Sequence, residues 1–218
     1  MTKRLLDIVV SSLALLLLSP VLIAVALVVR VSMGSPVLFV HERAGRGAVP
    51  FGLMKFRTMR HPGPDESAPV HDMNRITPLG RFLRRTSLDE LPSLVNVLRG
   101  ELSLVGPRPL PVAYVSRYTP DQARRLDVRP GLTGWAVVHG RNLVDWDERF
   151  EFDCWYIDHQ SLLLDLRILG RTVGIVLGGV GVNRSDRTTM DEFRSDASLA
   201  PGSALRAKPV EPKTDPHG

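Results

Sequence analysis

Residues 86–109, TSLDELPSLVNVLRGELSLVGPRP, decide how the rest of the chain is read. Two adjacent carboxylates, Asp89 and Glu90, lie between basic clusters, with Arg81, Arg84 and Arg85 upstream and Arg99 and Arg108 downstream. Pro92 has no backbone N–H to donate and fits best in the first turn of a helix. That places a helix start near Leu88 or Asp89, ahead of the apolar Leu94, Val95, Val97 and Leu98. A start at Ser87 competes, because Ser87 with Glu90 reads as an S-x-x-E capping box. On either reading the acidic pair sits at a helix N-terminus, where free N–H groups and the dipole favour negative charge.

An acidic pair in a first turn is often no more than a cap. Its neighbours add a chemical reading that is compatible with capping. In Gly106-Pro107-Arg108-Pro109 an arginine stands between two prolines, and the stiff backbone holds its guanidinium in place. A guanidinium binds phosphate oxygens in bidentate fashion. A carboxylate beside such arginines can act as nucleophile or metal ligand on a phosphate ester.

TSLDELP and LSLVGPRP, preceded by KFRTM at residues 55–59 and followed by RPGLTGW at residues 129–135, resemble the bacterial sugar transferases. These are small monotopic phosphoglycosyl transferases that begin glycan assembly on a polyprenyl phosphate. The resemblance runs from about Thr2 to about Gly178 and rests on several motifs in the family's order. It implies an α+β fold: an N-terminal re-entrant membrane helix broken at a Ser-Pro pair, here Ser19-Pro20, then a small cytoplasmic domain of short strands and amphipathic interfacial helices. By the same resemblance Asp89 is the nucleophile that forms an aspartyl–phosphosugar intermediate. Glu90, with Asp89, is the site of Mg2+. Lys55, Arg57, Arg84, Arg108 and Arg129 become candidates for substrate phosphates. The implied donor is a UDP-sugar, the acceptor polyprenyl (undecaprenyl) phosphate, and the setting the cytoplasmic face of a bacterial inner membrane. Downstream glycosyltransferases and a second copy of the chain are the implied protein partners.

Composition agrees with a membrane-associated, anion-binding protein. The 218 residues suit one domain with an appendage. A mean hydropathy of +0.01 is high for a soluble domain, and the N-terminus holds the excess. Twenty-eight basic against twenty-three acidic residues give a formal +5. That surplus suits an anionic partner such as a phosphorylated metabolite or an acidic membrane face. Three Trp and three Tyr are too few for a base-stacking surface, so no nucleic-acid partner is expected. Cys154 is the single cysteine and reads as a small packed residue. The six histidines are scattered, without zinc-site spacing.

Leu5 to Val31 is almost wholly apolar. A straight helix of that length would reach about 40 Å, enough for a hydrocarbon core of about 30 Å. Pro20, mid-segment, cannot bond the carbonyl of Leu16 and favours a kink. Ser19 is placed to satisfy a backbone group freed there. Lys3 and Arg4 flank one end and Arg30, Arg43 and Arg46 the other, without the asymmetry of a spanning helix. A kinked span and a re-entrant helix both remain open on these residues alone, and the resemblance favours the second.

Downstream, Val37 to Val40 is β-like, and a Gly45-Gly47-Pro50 turn leads to a second strand bearing Lys55 and Arg57. Residues 61–75 read as an exposed loop, and residues 76–85 as a short amphipathic helix carrying Arg81, Arg84 and Arg85. Tyr114 to Leu126 reads as a helix with a break or second start at Thr119-Pro120 and a solvated Arg124-Arg125 face. Ala136 to Val138 reads as a strand, and Gly131 and Gly134 as sites of close backbone approach. Asp145-Trp146-Asp147 matches a D-x-D metal motif but reads as a helix cap with Glu148. Asp165 is expected to be structural, capping or pairing with an arginine, and residues 168–182 to form a packed or interfacial helix. Sugar specificity is expected between Val137 and Phe152. The expected division is residues 1–33 membrane helix, 34–182 catalytic domain and 183–218 disordered tail. Two rival functions fit part of the pattern. One is a non-catalytic basic membrane module, and the other is an enzyme without a covalent intermediate.

Overall fold

The computed structural model describes residues 2–62, 75–140, 144–178 and Phe193. Most of the loop expected over residues 61–75, the centre of the expected specificity region and almost all of the expected tail lie outside these residues.

Two helices open the chain, α1 (Thr2–Leu17) and α2 (Ser19–Met33), bent by 62° at their junction. The cause is local. Pro20 leaves the Leu16 carbonyl without its helical donor, and the Ser19 hydroxyl donates to that carbonyl at 2.8 Å. Among the described residues no single helix is long and apolar enough to cross a membrane, and the bent pair meets that test only together. Leu5, Leu13, Leu16 and Leu17 of α1 and Ile23, Leu27 and Val31 of α2 are exposed.

The other face of α1 is polar and docked. Asp7 and Ser11 are buried. Asp7 Oδ1 accepts from the Leu104 N–H at 2.9 Å and the Ser103 hydroxyl at 3.1 Å. Lys3 donates to the Val105 carbonyl at 3.0 Å and pairs with buried Asp165 at 2.6 Å. Arg4 donates to the carbonyls of Val97 and Leu98 at 2.6 and 2.8 Å. The basic pair read as flanking charge is therefore engaged by the body of the protein, and Asp165 takes a lysine rather than an arginine.

The body is mixed α and β, with two small sheets among the described residues. Strands β1 (Leu38–Ala44) and β2 (Pro50–Phe56) form an antiparallel hairpin in the register Leu38↔Phe56 to Ala44↔Pro50. Helix α3 (Pro78–Arg85) is capped by Thr77, whose hydroxyl accepts the Gly80 N–H at 2.9 Å. A 3-10 turn (Leu88–Ser93) runs into α4 (Leu94–Arg99). The helix thus starts at Leu88, but Pro92 makes its first part 3-10. The Ser87–Glu90 capping box does not form: Ser87 has a left-handed backbone, with φ 56°, and makes no side-chain cap.

Strands β3 (Ser103–Val105) and β4 (Gly131–Thr133) pair in parallel. Beyond β3, a 3-10 turn (Val112–Arg117) precedes α5 (Pro120–Ala123), whose capping box at Thr119 makes Thr119-Pro120 a second start. Helix α6 (Trp135–His139) replaces the strand expected at Ala136–Val138, because the chain leaves the sheet at Gly134. Asp145 caps α7 (Trp146–Asp158) through the Glu148 N–H at 2.8 Å, as read. Helix α8 (Leu162–Gly178) buries Leu164 and Ile168. One apolar core joins the hairpin, α4, β3 and α8 through Leu53, Val97, Leu104, Val105, Tyr156 and Ile168. Phe193 packs separately with Leu110 and Phe150.

Backbones approach closely where β4 meets the Gly106 loop. A Cβ on Gly131 would lie 2.1 Å from the Gly106 nitrogen and 2.3 Å from the Thr133 oxygen. Gly131→Ala is therefore expected to cost about 3 kcal/mol, in the range of forced overpacking. A denaturant midpoint in detergent checks this, and an unchanged midpoint would show that the loop can shift freely.

Candidate active site

Strand β2 and the 3-10 turn hold the acidic pair against the hairpin. The fastening uses two buried polar side chains that act as a neighbouring strand for β2. Asn96 Oδ1 accepts the Met54 N–H at 3.0 Å and its amide donates to the Gly52 carbonyl at 2.8 Å. The Ser93 hydroxyl donates to the Met54 carbonyl at 2.7 Å. Ser93 and Asn96 are fully buried, so these bonds fix the turn that carries Asp89 and Glu90.

Glu90 Oε1 accepts from Lys55 Nζ at 2.6 Å and from Arg108 Nη2 at 2.7 Å. Burial alone would raise the Glu90 carboxyl, but Arg108 and Lys55 outweigh it and hold the group well below the usual carboxylate range. Glu90 in turn raises Arg108. Asp89 behaves oppositely. It is only 7% exposed. Burial, and next the Glu90 charge, push it up to about 6 against the pull of Lys55, Arg84 and Arg108. Neighbouring carboxylates are thus separated: Glu90 is firmly ionised and paired, while Asp89 is a desolvated, more basic oxygen.

Lys55, Arg84 and Arg108, expected to contact phosphate, all bear electrostatically on Asp89. Arg84 Nε also donates to the Thr58 hydroxyl at 3.0 Å. The structure does not bring Arg57 or Arg129 into that cluster. Arg57 is buried and donates to the carbonyls of Met33, Gly34 and Ser35, tying the end of α2 to the end of β2. Arg129 donates to the Gly100 carbonyl at 2.8 Å, just past the end of α4.

Behind Arg108 lies a network that sequence reading missed. Arg125, expected on a solvated face, is 4% exposed. Its Nη2 donates to the Arg108 carbonyl at 2.7 Å and lies 2.8 Å from Asp153. Its guanidinium sits 5.2 Å from the Phe150 ring centroid. Arg124 alone keeps the expected surface position, paired with Asp158. Arg43 was also missed. It lines a cavity of about 30 Å³ with Lys55, Glu90, Ser93 and Arg108. The available signal was alternation: His41 and Arg43 on β1, paired with Leu53 and Phe51 on β2, share one hairpin face with Lys55.

Arg43 Nη2 lies 3.0 Å from His41 Nδ1. An arginine can only donate, which fixes the neutral tautomer with the proton on Nε2. Burial, then Arg43 and Lys55, lower His41 to about 4. The unfolded histidine protonates near 6.5, so between about 6.5 and 4 the unfolded chain binds more protons. Stability is therefore expected to fall as pH drops through that window. The wild-type midpoint should decline more steeply there than that of His41→Gln, and parallel curves would contradict the assignment.

Buried Asp89 and half-buried Glu90, ringed by lysine and arginine on an α+β body that carries a bent pair of apolar helices, define the class: a mixed helix-and-sheet protein with a carboxylate–cation site. Within that class the chain belongs to the bacterial sugar transferase family, whose profile matches residues 1–179. It is 43% identical over 198 residues to an uncharacterized sugar transferase, EpsL, of Bacillus subtilis (strain 168), covering 91% of this chain and 98% of that protein. It is 43% identical over 185 residues to the UDP-glucose:undecaprenyl-phosphate glucose-1-phosphate transferase of Caulobacter vibrioides, covering 80% and 69% of the two chains. The protein of the same name from Escherichia coli (strain K12) is 42% identical over 181 residues, 78% of this chain and 39% of that longer protein. The chain is thus similar to transferases and is itself a transferase.

Proposed function

We propose that the protein transfers a sugar 1-phosphate from a UDP-sugar to a polyprenyl phosphate, at a membrane surface and through a covalent intermediate on Asp89. The observation that carries the reading is the division of labour between the two carboxylates. Glu90 holds Lys55 and Arg108 in place, while Asp89 stays buried beside them and ionised at neutral pH. Family membership and the names of the relatives support the donor and acceptor classes.

In the first step an Asp89 carboxylate oxygen attacks the phosphorus that bears the sugar. The bond from that phosphorus to the bridging oxygen of the diphosphate breaks, and UMP leaves with the electron pair. In the second step a lipid phosphate oxygen attacks the same phosphorus. The acyl phosphate bond breaks, regenerating Asp89 and giving polyprenyl diphosphate sugar. Arg108 and Lys55 stabilise the phosphate oxygens while charge moves between them, and Arg84 completes the cationic rim. Desolvation of Asp89 leaves its oxygen less well hydrated and more nucleophilic.

Among the described residues no cluster of three or more metal-ligating side chains occurs. Mg2+ is bound in phosphoryl-transfer sites by one or two carboxylates, with substrate phosphates and water completing its shell. Asp89 and the second oxygen of Glu90 meet that smaller requirement. A magnesium ion held there would neutralise charge on the leaving phosphate. The exposed leucines, isoleucine and valines of α1 and α2 support insertion of the bent pair into the membrane, entering and leaving by the cytoplasmic face.

The test is intact-protein mass spectrometry of purified protein with Mg2+ and a panel of UDP-sugars, without lipid. A mass gain of one phosphosugar, with equimolar UMP, is expected for the true donor. Turnover with lipid but no adduct and no lipid-independent UMP would instead favour a ternary mechanism.

A further inference from the structure

The hairpin face that carries Lys55 also carries Arg43, and the two share one cavity with Glu90 and Arg108. Glu90 is already divided between Lys55 and Arg108, both on the same oxygen. Among the described residues Arg43 makes no ion pair. Its single side-chain hydrogen bond joins Nη2 to His41 Nδ1, and its Nε is buried without a partner. Three cations thus line the cavity with Glu90 as the lining carboxylate, and the Asp89 charge adjoins it. Burial, then the nearby Arg108, lower Arg43 to about 10, and His41 is kept neutral rather than adding a fourth charge.

Partly desolvated like charges that converge on one cavity are unfavourable without a further anion, because desolvated charge is costly unless paired. The anion implied has more than one charge and several acceptor oxygens, since it must satisfy the buried Nε of Arg43 and the remaining donors of Lys55 and Arg108. A phosphate group has both properties. A chloride ion or a single carboxylate offers fewer acceptors.

We propose that Arg43 is a phosphate-binding residue of the active site, donating from Nε to a substrate phosphate gripped from its other sides by Arg108 and Lys55. This rests on the transfer reaction proposed above and extends its phosphate site to a residue on β1. Both substrates of that reaction carry phosphate. The shared ligand is therefore a phosphate ester, supplied by the nucleotide or by the lipid carrier.

The experiment is isothermal titration calorimetry of the full chain in detergent, with Mg2+, using UMP in one arm and a short-chain prenyl phosphate in the other. Losing one charge-assisted hydrogen bond corresponds to about a 10- to 100-fold change in affinity. Arg43→Gln is expected to weaken one arm by that factor: UMP if the nucleotide phosphate occupies the cavity, prenyl phosphate if the lipid does. Arg43→Lys, which keeps the charge but not the fork, should lose less, about three- to tenfold, and is read in its place if the glutamine variant does not fold. Unchanged affinity in both arms overturns the proposal, as does a wild-type protein that binds neither probe. Binding is read without turnover. A loss caused by Arg43→Gln would stand even if no sugar-phosphate transfer were detected, whereas transfer with unaltered binding would sink this inference alone.

Discussion

Asp89→Asn is expected to abolish the phosphosugar adduct and to lower turnover by about four orders of magnitude or more, the scale seen when a catalytic nucleophile is removed. The substitution changes one oxygen for an NH2 of nearly equal size, so the turn that Ser93 and Asn96 fasten to β2 has no steric reason to move. It also removes a charge that the fold disfavours. Burial is the largest influence on Asp89 and acts against its ionised form, so the neutral variant should melt no lower than wild type. That combination, activity gone and stability kept or raised, marks a group held for chemistry rather than for folding. Wild-type-like turnover in Asp89→Asn would remove it from the nucleophile's role. An adduct that persists in the variant would transfer that role to another side chain, Glu90 first.

Much of the site was legible because it is compressed into a short stretch. Asp89, Glu90 and Arg108 fall within the Thr86–Pro109 segment, and the prolines around Arg108 announce a fixed guanidinium. The break at Ser19-Pro20 was legible for a similar reason: proline's missing donor has a local consequence, and the Ser19 hydroxyl meets it. Local chemistry was a poorer guide wherever partners come from far along the chain. Lys3 and Arg4 looked like flanking charge, yet their partners are Val105, Asp165, Val97 and Leu98. Arg57 and Arg129 look as suitable for phosphate as Arg108. Only the fold shows that backbone carbonyls engage them. Arg125 was misplaced because adjacent residues in a short 3-10 turn can point in opposite directions, leaving Arg124 exposed and Arg125 buried.

Asp153→Asn is expected to be the most destabilising conservative change in the body of the protein. Asp153 is 2% exposed and lies 2.8 Å from Arg125. Burial raises its carboxyl as it does that of Asp89, while Arg125 and then Arg149 act to keep it ionised; unlike Asp89, it is the counter-charge of a guanidinium that is itself buried. Neutralising it leaves the buried Arg125 without its counter-charge, a loss of about 3–5 kcal/mol. The consequence should reach the active site, because the same Arg125 nitrogen donates to the Arg108 carbonyl. A double variant separates the two roles. Arg125→Met with Asp153→Leu replaces the ion pair by apolar groups, which is often neutral or stabilising. It should recover most of the melting temperature lost in Asp153→Asn. It does not restore a donor to the Arg108 carbonyl, so the guanidinium that shares Glu90 with Lys55 would be less firmly placed. The double variant is therefore expected to fold like wild type and still show a raised KM for the donor. Recovery of both stability and KM would mean that Asp153 and Arg125 only neutralise each other, and that the prolines on either side of Arg108 suffice to hold it.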